Sequence, residues 1–218
     1  MAEPVKPTRR YESPHRREQA TATRRQILES AQRLFEQQGY AATTMAAIAA
    51  DAGVALKTVY VAFETKSGVL RALWNVLLRG ADDDVAVQDR DWYRDVLAEP
   101  DPERRLRLNA RNSRVVKQRA AAVMEVIRTA APLDADIDGL WSRIQSEFYE
   151  NQRGVVEGLA EQGALRAGLD VARGTDILWT LNHPDVWQLL TRSRGWAADD
   201  YERWFGDTAC EQLLGRGR

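Results

Sequence analysis

Residues 43–70, TTMAAIAADAGVALKTVYVAFETKSGVL, constrain this chain more than any other stretch. Thr44 can cap a helix whose buried stripe is Met45, Ile48 and Ala49, because a threonine hydroxyl accepts from a backbone N–H two or three residues on. Gly53 can turn through positive φ without a Cβ clash, so the chain reverses within a few residues and a second helix starts near Ala55. Two short helices joined in this way form a helix-turn-helix. On the second helix Val59 and Phe63 lie four apart and pack inward with Val54. Leu56, Lys57, Thr58, Tyr60 and Val61 spread over the rest, and this outward set is what a DNA major groove would meet.

The flanking sequence extends the helical pattern in both directions. Upstream, Ile27, Ala31, Leu34 and Phe35 mark one amphipathic helix that Gly39 stops. Downstream, Thr65 can cap a fourth helix with Val69, Leu73, Val76 and Leu77 on one side. Loops are expected at the acidic run Asp82–Asp84 and around Asp89–Asp101, after which Pro102 starts a long helix with Leu108, Val115, Ala122 and Val126 at helical spacing and Pro132 closes it. A further helix spans about residues 138–162, with Trp141, Ile144, Phe148 and Val155 on one side. Gly163 and Gly168 then break the chain before helices at residues 171–181, from Pro184, and at 199–214. No alternation at period two persists, and no GxGxxG, P-loop, GxSxG or paired metal motif occurs. The expected fold class is all-α, with nine or ten helices.

Charge is distributed unevenly. Residues 1–80 hold 12 Lys/Arg against 7 Asp/Glu and residues 81–218 hold 19 against 25, so a net charge of −1 hides a basic first part and an acidic remainder. A basic part suits a polyphosphate partner, whereas an acidic one has no reason to approach DNA. Arg9, Arg10, Arg16 and Arg17 could serve as an arm on the DNA or form a disordered tail with incidental charge. The 218 residues suffice for two compact units. Cys210 has no disulfide partner, His15 and His183 show no zinc-type spacing, and no cofactor is implied. With no apolar signal region and no run of eighteen apolar residues, a cytoplasmic chain without a membrane partner is expected.

The acidic part offers three groups of candidates. Asn112 follows Leu108 by four and precedes Val115 by three, and Asn182 follows Trp179 by three, so both amides should face an interior where a ligand, a side chain or water must satisfy them. Trp141, Trp179 and Trp187 either line a ligand cavity or simply pack the core. From Val186 to Leu214 the chain carries Trp187, Leu190, Trp196, Tyr201, Trp204, Phe205, Leu213 and Leu214, more apolar surface than one terminal segment easily buries against its own chain.

From Arg24 to Leu70 the sequence resembles the DNA-binding domain of the TetR (tetracycline repressor) family of bacterial transcription regulators. The likeness rests on Ile27, Ala31, Phe35, Gly39 and Tyr40; on Thr43, Thr44, Ile48, Ala49 and Gly53; and on Thr58, Val59, Tyr60, Phe63 and Lys66. Ala55 stands where family members often carry a capping serine, and Lys57 where many carry glycine. The resemblance implies a head at residues 21–66 behind a basic, disordered arm at 1–20, followed by a helical effector-binding and dimerisation domain at 67–218. Thr44, Tyr60 and Lys66 would then hold the DNA backbone, Lys57 and Thr58 would read bases, Thr43 and Leu56 would complete the DNA-binding set, and Arg16, Arg17 and Arg24 would form the arm. A small-molecule effector would occupy a pocket drawn from Asn112, Trp141, Phe148, Trp179 and Asn182, and a homodimer would form on Trp187, Leu190, Tyr201, Trp204, Phe205 and Leu213. The implied function is a repressor that binds a palindromic double-stranded DNA operator and is released by an inducer. The alternatives are a helical-bundle carrier or enzyme, which leaves the basic head unexplained, and a nonspecific architectural DNA protein, which leaves the acidic domain unexplained.

Overall fold

The computed structural model describes residues 14–79 and 90–215, with side chains at 18–78 and 90–215. All of the elements named here are helices: α1 Pro14–Ala42, α2 Met45–Asp51, α3 Leu56–Phe63, α4 Lys66–Arg79, α5 Asp91–Ala98, α6 Pro102–Ala130, α7 Ala135–Glu161, α8 Val171–Leu181, α9 Pro184–Gln188 and α10 Ala198–Leu213. The expected boundaries hold to within a few residues for α2–α4 and α6–α10, with two differences elsewhere. The disordered arm expected over residues 1–20 is corrected at its end, because α1 starts at Pro14 and residues 14–20 are helical. Residues 90–98, expected as loop, hold α5, whose Tyr93 and Val96 are three apart and buried. The run at Asp82–Asp84 lies outside the described residues, as do Arg9, Arg10 and the side chains of Arg16 and Arg17.

Local chemistry explains the ends of the elements. Asp101, Asp134 and Asp170 cap α6, α7 and α8 by accepting backbone N–H groups of the first turn. Gly39 sits at φ 78° inside α1 and kinks the helix just ahead of Tyr40. The long helix α6 buries Leu106, Asn109, Ala110, Lys117, Ala120, Val123 and Ile127. The expected stripe through Leu108 and Val115 is therefore out of phase, since both residues stay only half-buried.

Two apolar cores stack along the long helices. The first joins α1–α4 to the end of α6 and the start of α7, through Ile27, Phe35, Ile48, Val59, Phe63, Leu70, Leu73, Val123, Ile127, Ile137 and Leu140. The second joins α5, the first half of α6, the end of α7, α8 and α10, through Val96, Leu106, Val155, Leu159, Leu178, Tyr201, Phe205 and Leu213. A cavity lies where they meet, with Trp74 and Ile144 of the first core and Tyr93 of the second among its lining residues.

Candidate functional site

The reading head is held from behind by α1. Arg24 donates to the Ala62 carbonyl at 2.7 Å and stacks 4.1 Å over the Phe63 ring, which grips the end of α3, while Gln26 donates to the Ala52 carbonyl at 2.8 Å and grips the end of α2. Arg24 thus belongs to the scaffold rather than to a DNA arm. Thr44 caps α2 as expected, accepting from the Ala47 N–H at 3.0 Å, and Gly53 turns at φ 65°. Ala55 begins α3 with no side-chain cap. Val59 and Phe63 are buried, while Leu56, Lys57, Tyr60 and Val61 are exposed, Val61 to 77%. Thr58 is half-buried between these two faces. The outward set is the one expected, on a helix whose inner side is fixed in the core.

Two expected DNA contacts prove to be structural. Thr43 is fully buried; its hydroxyl donates to the Gly39 carbonyl at 2.8 Å and so spans the kink in α1. Lys66 donates to the Tyr40 carbonyl at 2.8 Å and the Thr43 carbonyl at 2.9 Å, with its amine 4.1 Å from the centre of the Tyr40 ring. It satisfies carbonyls at the end of α1, and burial lowers its pKa. The end of α1 and the first turn of α4 are also bonded to the start of α7. The Tyr40 hydroxyl donates to Asp134 at 2.6 Å and the Ser67 hydroxyl to Asp136 at 3.1 Å, both acceptors lying at the N-terminus of α7. Burial, and then the Asp134 carboxylate, hold the Tyr40 phenol well above its ordinary pKa.

The cavity measures about 100 Å³ and is walled by α4, α5, α6, α7 and the turn before α9. Phe148 and Asn182 line it, as expected. Asn112 does not: it points to the Trp92 carbonyl, to which it donates at 2.9 Å, and Asn109, one helical step away, takes the interior place. Trp141 packs against the first core instead, and Trp179 lies edge-on to His183, 4.9 Å between ring centres. The polar wall is a connected network. Asn109 and Asn182 donate to Gln152 Oε1 at 3.3 and 3.1 Å, and Lys117 donates to Asn182, to Ser113 at 2.7 Å and to the Tyr201 hydroxyl at 2.8 Å. Lys117 was not foreseen. Its signal was Asn109, Ser113 and Lys117 at four-residue spacing within the apolar row Leu106, Ala110, Ala120.

The proposed dimer residues need a larger correction. Trp187, Tyr201, Phe205 and Leu213 are buried inside the protomer, where α10 packs along α6, and Trp187 meets the Tyr201 ring edge-on at 4.9 Å. Only Leu190 and Trp204 of the expected set keep partial exposure, beside Leu189 at 59% and Trp196. The apolar surplus of the terminal segment is absorbed by α6, which the sequence did not pair with it.

A helix-turn-helix exposing one helix from a basic end, bonded to a helical body around a cavity, defines a DNA-binding regulator. Residues 27–73 match the family model described as bacterial regulatory proteins, tetR family. Those residues span the head, which is similar to that family's DNA-binding domain, and the chain is a DNA-binding transcriptional regulator. Two Pseudomonas putida proteins named as HTH-type transcriptional regulators are similar over most of their length: ArpR at 29% identity and TtgR at 28%, each match covering 90% of this chain and 94% of the relative. Among solved structures, the choline complex of a transcriptional regulator from Saccharomonospora viridis shares the fold, with a TM-score of 0.70, 21% identity, and coverage of 90% of this chain and all of that one. These relatives are regulators rather than enzymes. Among the described residues no single helix is long and apolar enough to cross a membrane.

Proposed function

We propose that the protein acts as a homodimer on a palindromic operator and is released when a small molecule enters the cavity, which makes it an inducible repressor in the cytoplasm. The observation that carries this reading is the course of α4. Its first turn, Lys66 and Ser67, holds the head and the start of α7, and its later turns place Trp74 and Leu78 on the cavity wall. A ligand that displaces those side chains acts on the helix that sets the height and tilt of α3. The functional division falls between a head at residues 21–66 and a body at 67–218, although they share a core.

In this scheme two copies of α3 sit about 34 Å apart in successive major grooves. Lys57 and Thr58 face bases, Leu56 adds apolar contact, and Thr44 and Tyr60 hold the DNA backbone. The second subunit packs on the face that retains exposed apolar area, Leu189, Leu190, Trp196 and Trp204. Selection of bound fragments from random DNA should recover a palindrome, and Lys57→Ala should relax preference at one position in each half-site. Equal loss on selected and scrambled DNA would contradict the assignment. Light scattering after size exclusion should give a dimer; a monomer at micromolar concentration would remove the two-headed scheme.

A further inference from the structure

The wall of the cavity holds one amine, Lys117, and one acid, Glu147, and the two form no ion pair. Lys117 is 5% exposed, and among the described residues no carboxylate lies within ion-pair distance of it; Ser113, Asn182 and Tyr201 supply only neutral oxygens. Two further polar atoms of the lining residues are open. Asn151, itself 7% exposed, has an Oδ1 with no partner, and Gln145 Nε2 has none either; both residues line the cavity. Buried polar atoms left unpaired are costly, and burial without an anion presses an amine toward its neutral form, so the wall is suited to a molecule that brings hydrogen bonds and a negative charge. The remaining wall is apolar, with Trp74, Trp92, Ile144 and Phe148. Its volume, about 100 Å³, is of the order of a single aromatic ring, given that cavities of about 150 Å³ hold benzene.

We infer that the effector is a small organic acid, an apolar body of about one ring whose carboxylate pairs with Lys117 and draws the Ser113 hydroxyl away from Asn182, to which it now donates. This rests on the reading of the cavity as the effector site. Burial holds the Lys117 amine well below the ordinary lysine pKa. The titratable groups around it are Tyr201 from α10, His183 from the turn before α9, Tyr93 from α5 and Glu147 from α7. Burial keeps both tyrosines protonated and lowers the pKa of His183. An entering carboxylate raises the pKa of the amine again, so at any pH above the amine's depressed value a proton from solvent enters with the acid, and affinity for the acid falls as pH rises.

The test pairs phenylacetate with phenylacetamide, which match in size and differ in charge, against the full-length protein, with tryptophan fluorescence as the readout because Trp74 and Trp92 line the cavity. The acid should bind at least about tenfold more tightly than the amide, the scale of one charged hydrogen bond, and Lys117→Met should abolish that preference while leaving amide binding in place. Calorimetry in two buffers of different ionisation enthalpy should show proton uptake with the acid and none with the amide. Equal affinity for the two molecules, or acid affinity unchanged in Lys117→Met, overturns the carboxylate assignment alone. Binding of neither molecule overturns it together with the effector-site reading beneath it.

Discussion

Lys57 and Lys66 are both cations of the basic head, and their surroundings divide their roles. Lys57 stands exposed on α3, whereas Lys66 spends its amine on the carbonyls of Tyr40 and Thr43. Lys66→Ala should therefore cost about 2 kcal/mol of stability in urea unfolding, the scale of hydrogen bonds to a charged group, with DNA affinity falling because the head loosens. Lys57→Ala should leave the unfolding midpoint unchanged. Lys117 gives a separate prediction. Its folded pKa is depressed below 10.5, so between that folded value and 10.5 the unfolded chain holds a proton the folded chain lacks, and stability rises with pH across that window. Unfolding measured as a function of pH should show this rise in the wild type and a flatter profile in Lys117→Met. A matching slope in both proteins would mean that the amine is charged in the folded state.

At the scale of elements, the joint between α3 and α4 is the tightest in the head. Glu64 sits at φ 62° and ψ −52°, and the Thr65 N–H donates to the Phe63 carbonyl at 2.6 Å, a γ-turn of the strained positive-φ kind. The same carbonyl presses on Gly68 so closely that a Cβ there would collide with it. Gly68→Ala should destabilise the protein by about 1–3 kcal/mol through that collision, and Glu64→Gly should stabilise it by about 1 kcal/mol by relieving the turn. Thermal unfolding reads both, in opposite directions. The elements themselves were largely legible, because caps such as Thr44 and breakers such as Gly53 and Pro102 act within a few residues. Phase was harder to read. On α6 the half-apolar row through Leu108 and Val115 competes with the buried row through Leu106 and Ala110, and only the packed neighbours decide between them. The spacing from Leu108 consequently points Asn112 at the interior place that Asn109 holds. The destination of an apolar face is not local either, so the burial of Tyr201 and Phe205 against α6 could not be read from α10 alone. The outward face of α3 was readable because its signals, a cap, a glycine, a buried pair and two flanking helices, all lie within residues 24–77.

At the scale of the whole molecule, the head is joined to the body by the Tyr40 to Asp134 bond and the shared first core, and Ser67, where the body begins, ties the first turn of α4 to Asp136 of α7. The double variant Tyr40→Phe, Ser67→Ala removes both hydrogen bonds and leaves the apolar packing in place. Hydrogen exchange at α2 and α3 should quicken by about tenfold or more, while α8 and α10 exchange as before, on the basis of about 1 kcal/mol for each bond. Uniform acceleration throughout would mean that the two cores open together. The first core contains Val123, Ile127, Ile137 and Leu140 of the body alongside Ile27, Phe35 and Phe63 of the head. A chimera that grafts the first 66 residues onto a different regulator would cut through this cluster and leave complementary apolar surfaces without their mates. With α3 as the proposed reading helix, retargeting this protein to a new promoter is better done by rewriting the outward side of α3 alone, and a transplanted head should carry with it α4, the close of α6 and the opening of α7.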